Sequence, residues 1–258
     1  MYFIDVQGTL ISDSDKSPIR GSREFIDNLN HKKIPYMIIT NNTKKQSKEF
    51  YTYLREIGFN FDFSHYLDPL MMLDLHIQKD GIAAYGTAEF LDGLVKMGFE
   101  LDYENPKTVL VSIKADFTND EFAQMIEFIL AGSKLVGMHE TSIYAKNSKR
   151  YPGVGAILKM LEFATSCSYS VVGKPSTAFY EEALAMIKEQ KNDAEFCDVK
   201  IISDDVKGDL GGAKEMGMKT LFVTSGKYRS AGEIVPFLKP ELRPDYIYAD
   251  MQEILESI

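Results

Sequence analysis

Residues 2–9 read Tyr2-Phe3-Ile4-Asp5-Val6-Gln7-Gly8-Thr9, an apolar run that ends on a carboxylate and meets a glycine. Tyr, Phe, Ile and Val suit a buried strand, whereas Asp5, Gln7 and Thr9 are out of place if burial is the only purpose. The same kind of run recurs at 36–40, 108–113, 169–172, 199–202, 220–224 and 246–249. Between these runs, stretches near 22–32, 45–57, 118–131, 153–165, 177–189, 208–217 and 250–257 carry apolar residues at helical spacing. In one of them Phe122, Met125, Ile126, Ile129 and Leu130 form a stripe that reads as core packing. Strand–helix alternation of this kind predicts an α/β fold with a mainly parallel sheet.

Four runs end on polar residues: Asp5-Val6-Gln7-Gly8-Thr9, Thr40-Asn41-Asn42-Thr43, Gly173-Lys174-Pro175-Ser176 and Ser203-Asp204-Asp205. Ligands of open parallel sheets sit beyond the carboxyl ends of the strands, so these ends converge on one site if their strands are neighbours. There is no repeat, low-complexity tract or Gly/Ser linker. Any second domain is therefore an insertion, and the long gap between Asn41 and Lys174 is its natural place.

The chain has 258 residues, 45% hydrophobic and 12% aromatic, enough for one large core or two smaller ones. Its formal charge of −9 argues against a nucleic-acid or anionic-membrane partner but not against a small anionic substrate, because a local site can oppose the global field. Cys167 and Cys197 have no Cys or His at ligand spacing and read as buried free thiols. No secretory signal or membrane span is visible, so a cytoplasmic location is expected.

Taken singly, each polar end has an ordinary structural use. Asp5 can form a strand-end turn, Thr40–Asn42 a helix N-cap, Lys174 a solvated surface charge, and Asp204-Asp205 a loop. Together they point to phosphoryl transfer. Asp5 is a candidate nucleophile toward phosphorus. Asp204, Asp205 and Asp209 supply acid for a hard cation such as Mg²⁺. The Thr40 hydroxyl, the amides near Asn41 and Asn42, and Lys174 offer donors and positive charge to a phosphoryl group.

The order Asp-x-x-Gly-Thr, Thr-Asn-Asn-Thr, Gly-Lys-Pro-Ser, Asp-Asp-x-x-x-Asp resembles the haloacid dehalogenase-like (HAD) phosphatase superfamily, and within it the NagD-like, class IIA subfamily. The stretches GKPSTAFYEEAL (173–184), SDDVKGDLGGAKEMGMKTLFVTSGK (203–227) and RPDYIYADMQEIL (243–255) carry the likeness. The resemblance implies a Rossmann-like parallel-sheet core, residues 1–81 and 169–258, with an α/β cap inserted at 82–168. It implies a Mg²⁺-dependent phosphatase working through an aspartyl-phosphate on Asp5. The metal ligands would be Asp5, the Gln7 carbonyl and Asp204, with Asp209, and less strongly Asp205, in the outer shell. Thr40 and Asn41 would hold phosphoryl oxygens, with Asn42 beside them, and Lys174 would neutralise the group. The partner implied is a small phosphorylated metabolite, and a homodimer through the cap is expected.

One position departs from the subfamily. Its first motif reads Asp-x-Asp, and here the second acid is Gln7. A glutamine orients but does not exchange a proton near neutral pH. General acid–base help is worth about 10²–10⁴ in rate. Activated phosphates, which need less leaving-group protonation, are therefore the expected substrates. The alternative is a pseudophosphatase that binds a phosphorylated ligand without turnover. Three weaker signals complete the reading. Lys146, Lys149 and Arg150 form a basic cluster that would meet an anionic substrate or sit in a solvated loop. Lys44, Lys45 and Lys48 read as a solvated helix face. Tyr151–Gly155 partly resembles a dinucleotide loop but lacks the third glycine and follows no evident strand.

Overall fold

In a computed structural model that describes residues 1–146 and 149–257, the opening run forms strand β1 (Tyr2–Ile4), buried throughout. The chain continues through α1 (Ser22–His31), β2 (Tyr36–Ile39), α2 (Ser47–Glu56), β3 (Tyr66–Leu67) and α3 (Pro69–His76). Next come β4 (Ile82–Tyr85), α4 (Ala88–Lys96), β5 (Thr108–Val111), α5 (Asn119–Leu130) and β6 (Lys134–Gly137). A hairpin, β7 (Ile143–Lys146) and β8 (Lys149–Pro152), precedes α6 (Val154–Thr165), β9 (Tyr169–Val171) and α7 (Thr177–Lys188). The chain closes with β10 (Lys200–Ser203), α8 (Asp209–Glu215), β11 (Lys219–Val223), β12 (Tyr246–Tyr248) and α9 (Met251–Glu256).

The main sheet has the order β12-β11-β10-β1-β2-β3, every pair parallel. In register, Ile4 lies beside Ile202 on one side and Ile38 on the other. β1 is thus central, and the carboxyl ends of β1, β2 and β10 adjoin. Alternate residues serve opposite faces, as the two-residue strand period requires. Phe3, Met37, Ile39 and Ile201 pack with Phe179 and Tyr180 of α7 and Leu210 of α8. Tyr2, Ile4, Ile38 and Ile202 pack with Phe25 and Ile26 of α1 and Met251 of α9. Burial of both faces is what continuous apolar strands demand.

A second parallel sheet runs β4-β5-β6-β9. Ala83, Val109 and Leu135 face α5 and α6. Ile82, Leu110 and Val136 turn the other way, into the same cluster as Phe3 and Leu70. The two sheets therefore share apolar contact rather than hanging on linkers. The run at 169–172, expected to border the main sheet, closes the second one instead, through Leu135–Tyr169 and Gly137–Val171 pairing.

Other expectations also change. α2 begins at Ser47 after Gln46, so Thr40–Asn42 is a loop and not a helix cap. Lys44 and Lys45 precede that helix. In α5, Met125 and Ile129 are buried, but Leu130 is 59% exposed at the last turn. Cys167 is half-buried, and Cys197 is exposed in a short turn ahead of β10. Gly153 and Gly155 follow a strand after all. A side chain at Gly153 would lie 2.0 Å from the Thr141 carbonyl oxygen, and one at Gly155 2.6 Å from that of Glu140. These glycines let α6 approach the neighbouring backbone, which leaves no phosphate-loop role for them. The stretch 146–148 lies outside the described residues at Asn147 and Ser148. Among the described residues, no helix is long and apolar enough to cross a membrane.

Candidate active site

Asp5 follows the last paired residue of β1, and its backbone N–H still donates to the Ile202 carbonyl, 2.9 Å. The ladder thereby fixes the carboxylate at the carboxyl end of the central strand. Its Oδ1 accepts from Lys174 Nζ at 2.5 Å, and its Oδ2 from the Thr9 hydroxyl at 3.3 Å. The turn after Asp5 needs Gly8, whose φ is +80° and whose added side chain would lie 2.3 Å from Asp204 Oδ2. Gly226 approaches the same oxygen from the loop after β11, leaving 2.0 Å for a Cβ. Asp204 is therefore held in a cradle that admits glycine alone on two sides.

Lys174 follows a strand of the second sheet, yet its ammonium reaches the first. The Asn41 side chain accomplishes this by clamping the residue's backbone: Asn41 Oδ1 accepts from Lys174 N at 3.0 Å, and Asn41 Nδ2 donates to Lys174 O at 3.3 Å. The lysine side chain is 1% exposed, and its Nζ also meets Asp209 Oδ2 at 2.6 Å. Asp209 Oδ2 accepts in addition from the Ser203 hydroxyl, 2.8 Å.

A second, partly buried lysine, Lys227, escaped the sequence reading. Its Nζ lies 2.5 Å from Asp205 Oδ2, and its backbone N–H donates to Asp204 Oδ2 at 2.7 Å. Asp205 Oδ1 accepts from the Gly208 amide, 3.0 Å. The rule that found the other four ends, a polar residue after a strand run, also points at Ser225-Gly226-Lys227 after 220–224. Asp205 and Asp209 are thus each engaged by a lysine and act on the site through it.

Thr40 and Asn42 take different places from those expected. The Thr40 side chain is fully buried, donates to Gln7 Oε1 at 2.7 Å and accepts from the Asn42 amide at 3.2 Å. The Asn42 side chain folds onto the Lys45 backbone. The Thr40 hydroxyl therefore holds Gln7, while Asn41 and Asn42 line the cavity.

That cavity, about 460 Å³, has Asp5, Gln7, Lys174 and Asp204 on the main-sheet side and Ile113, His139 and Tyr144 on the second-sheet side. Lys44 and Lys45 also line it. Arg150 points elsewhere, toward Glu233, so it is not an open basic charge facing a substrate. Burial raises the Asp5 carboxyl to about 6, against the pull of Lys174 and with a further push from Asp209. Burial drives Asp204 well above the carboxylate range; Lys227 opposes this, and Asp5, Asp13 and Asp205 add to it. Burial would raise Asp205 as well, but its pairing with Lys227 holds it below the usual range. His139 is kept neutral by burial, its pKa lowered to about 3.

Four carboxylates, Asp5, Asp204, Asp205 and Asp209, thus face two ammonium groups, one buried and one partly buried. The excess of like charge is what a dication relieves. Among the described residues no three of His, Cys, Asp and Glu gather into a ready-made metal cage. Two carboxylates and a carbonyl, with water and phosphate completing the set, is nonetheless the donor habit of Mg²⁺. Asp5, Gln7 and Asp204 line the same cavity and could supply such donors.

The haloacid dehalogenase-like hydrolase description matches residues 2–100, and a HAD-like hydrolase description matches 171–254. The fold superposes on NagD from E. coli K-12 with a TM-score of 0.76 at 22% identity, covering 98% of this chain and 96% of that one. The chain belongs to the haloacid dehalogenase-like hydrolases. Human phospholysine phosphohistidine inorganic pyrophosphate phosphatase is 27% identical over 245 residues, 92% of this chain and 87% of that protein. A magnesium complex of glycerol phosphate phosphatase from Mycobacterium tuberculosis has a TM-score of 0.75 at 22% identity, covering 98% of this chain and 75% of that one. In this HAD-like hydrolase the glutamine at position 7 is anchored by the Thr40 hydroxyl.

Proposed function

We propose that the protein is a Mg²⁺-dependent phosphatase that works through Asp5 on activated phosphates carried by small metabolites. The observation that carries this reading is the Asp5 carboxylate at the end of the central strand, paired with Lys174 at 2.5 Å and open to a cavity of about 460 Å³. Mg²⁺, held by Asp5, the Gln7 carbonyl and Asp204, would neutralise phosphoryl charge; the magnesium-bound structural neighbour supports that choice of ion.

A carboxylate oxygen of Asp5 bonds to phosphorus as the bond to the leaving group breaks. Lys174, whose pKa the two aspartates raise against the cost of burial, stays an ammonium and balances the phosphoryl charge. The Asn41 and Asn42 segment lines the phosphoryl end of the cavity. Gln7 has no proton to give, so the leaving group takes one from solvent. Water then adds to phosphorus, the aspartyl P–O bond breaks, and phosphate and the free carboxylate result. Leaving groups that depart without much protonation, such as those of phosphoramidates and acyl phosphates, suit this arrangement. The human relative named for phospholysine, phosphohistidine and pyrophosphate supports the same substrate class. Exposed Phe163 and Met160 on α6 support self-association through the second-sheet domain.

A second reading, a phospho-ligand binder without turnover, is favoured by one observation, the Thr40 hydroxyl locked onto Gln7. Phosphate release from acetyl phosphate, phosphohistidine and a sugar phosphate, with Mg²⁺ and with EDTA, separates the two. The phosphatase reading expects Mg²⁺-dependent release from the first two, a hydroxylamine-labile phosphate on Asp5, and a gain of sugar-phosphate hydrolysis in Gln7→Asp. Ligand-induced thermal stabilisation with no release from any of them refutes it.

A further inference from the structure

We propose that Arg150 is a positioning residue that latches the β7–β8 hairpin to the loop after β11, seating Tyr144 in the cavity and so setting discrimination between large and small leaving groups. This rests on the phosphatase reading above.

The hairpin pairs Tyr144 with Tyr151 and Ala145 with Arg150. Two strands alone are marginal in water, so such a unit needs anchors. Its base is fixed to the start of α6 by Gly153 N–H to Ser142 O, 2.9 Å, and Gly155 N–H to Thr141 O, 3.0 Å. Towards its far end, Arg150 Nη2 lies 2.8 Å from Glu233 Oε2 and 3.3 Å from the Lys227 carbonyl. Its guanidinium also sits 5.7 Å from the ring centre of Tyr228. Tyr228 is itself buried and packs edge-on against Phe222 of β11. The receiving loop is rigid, because Lys227 is held by Asp204 and Asp205. The planar fork of arginine makes the three contacts together, which a lysine does not.

What the latch carries is Tyr144. Its ring stacks on Tyr151, centroids 5.5 Å apart, and it lines the cavity from the second-sheet side, across from Asp5 and Lys174. A phosphoryl group fills the Asp5 end, so the group attached to it extends toward Tyr144. Ile113, two residues past β5, lines the cavity as well and does not depend on the latch. Loosening Arg150 therefore weakens contact with a bulky leaving group and leaves the phosphoryl contacts in place.

The test reads binding, so it does not depend on turnover. Phenylphosphonate and methylphosphonate carry the same head group with a large and a small substituent. Their affinities are measured calorimetrically in Mg²⁺ for the wild type, Arg150→Met and Glu233→Gln, with hydrogen exchange of the hairpin followed in parallel. The expected result is a loss of about fivefold for phenylphosphonate in Arg150→Met, the size of one exposed charge pair of good geometry. Glu233→Gln loses less, methylphosphonate stays within about twofold, and hairpin exchange quickens in both variants. Arg150→Lys recovers only part of the loss. Equal losses for both phosphonates, or none with exchange unchanged, overturn the latch. A wild type that binds neither phosphonate overturns the phosphatase reading itself, and the leaving-group role with it.

Discussion

Lys227→Met removes an ammonium group from a site where its partner has nowhere to go. The Asp205 and Lys227 side chains are 7% and 14% exposed, and the Nζ–Oδ2 separation is 2.5 Å. Taking one member from a buried pair costs about 3–5 kcal/mol, because the other is left charged and unpaired. Asp205 keeps the Gly208 amide at 3.0 Å, which places the expected loss near the lower end, about 3 kcal/mol. The backbone donation from residue 227 to Asp204 survives the substitution. The pH dependence has a definite sign. In the wild type Lys227 holds the folded pKa of Asp205 below its unfolded value, so this pair's stabilisation is present above the unfolded pKa and is lost as pH falls through the folded one. Without Lys227, burial raises the folded pKa, and the penalty grows as pH rises from about 4 to 7. The deficit is therefore largest at neutral pH and shrinks toward pH 4. Urea unfolding in EDTA, followed by tyrosine fluorescence from the 14 tyrosines of a tryptophan-free chain and by far-UV dichroism, measures it. Lys227→Met/Asp205→Asn should recover about 2 kcal/mol of the loss by removing the stranded charge. A single-variant loss under about 1 kcal/mol, or a double variant no better than the single one, would refute the pairing as the reason Lys227 is partly buried.

Two further outcomes follow from the same geometry. Mg²⁺ at about 100 times its dissociation constant should stabilise the wild type by about 2.7 kcal/mol in thermal unfolding, and Asp204→Asn should lose most of that gain while keeping its EDTA baseline fold; an unchanged gain removes Asp204 from the metal set. Asp68, which caps α3 and accepts from Tyr66 and Ser47, has its pKa raised by burial to about 6, so wild-type stability should fall as pH rises from about 4 to 6, by up to roughly 3 kcal/mol. Urea midpoints across that range should be flatter in Asp68→Asn, and an equally steep variant would assign the slope to other groups.

Strand and helix content was legible where the physics is local. The runs at 2–6, 36–40, 199–202 and 220–224 are buried on both faces of a parallel sheet, and such strands are continuously apolar in any context. Several of the elements that the sequence left unassigned lack that signature, although α4, with Phe90 and Leu94 on one buried face, does not. β4 reads Ile-Ala-Ala-Tyr, weak in β-branched residues; β3 has two residues; and α3, Pro69–His76, is apolar without a clear stripe. The hairpin Ile143–Pro152 is largely polar and is held by tertiary contacts such as Arg150 with Glu233.

The sequence by itself determined which side chains stand at strand ends, because a carboxylate or lysine after an apolar run is conspicuous from composition alone. It also determined the absence of a titrating acid at Gln7, which is a fact of identity rather than of position. Tertiary structure decided which of those ends meet. Lys174 reaches Asp5 although its strand belongs to the other sheet, because Asn41 clamps its backbone. Thr40 serves Gln7, and Asp205 and Asp209 serve lysines. Those assignments depend on distances of 2.5–3.3 Å between residues far apart in the chain, and no local pattern encodes such distances.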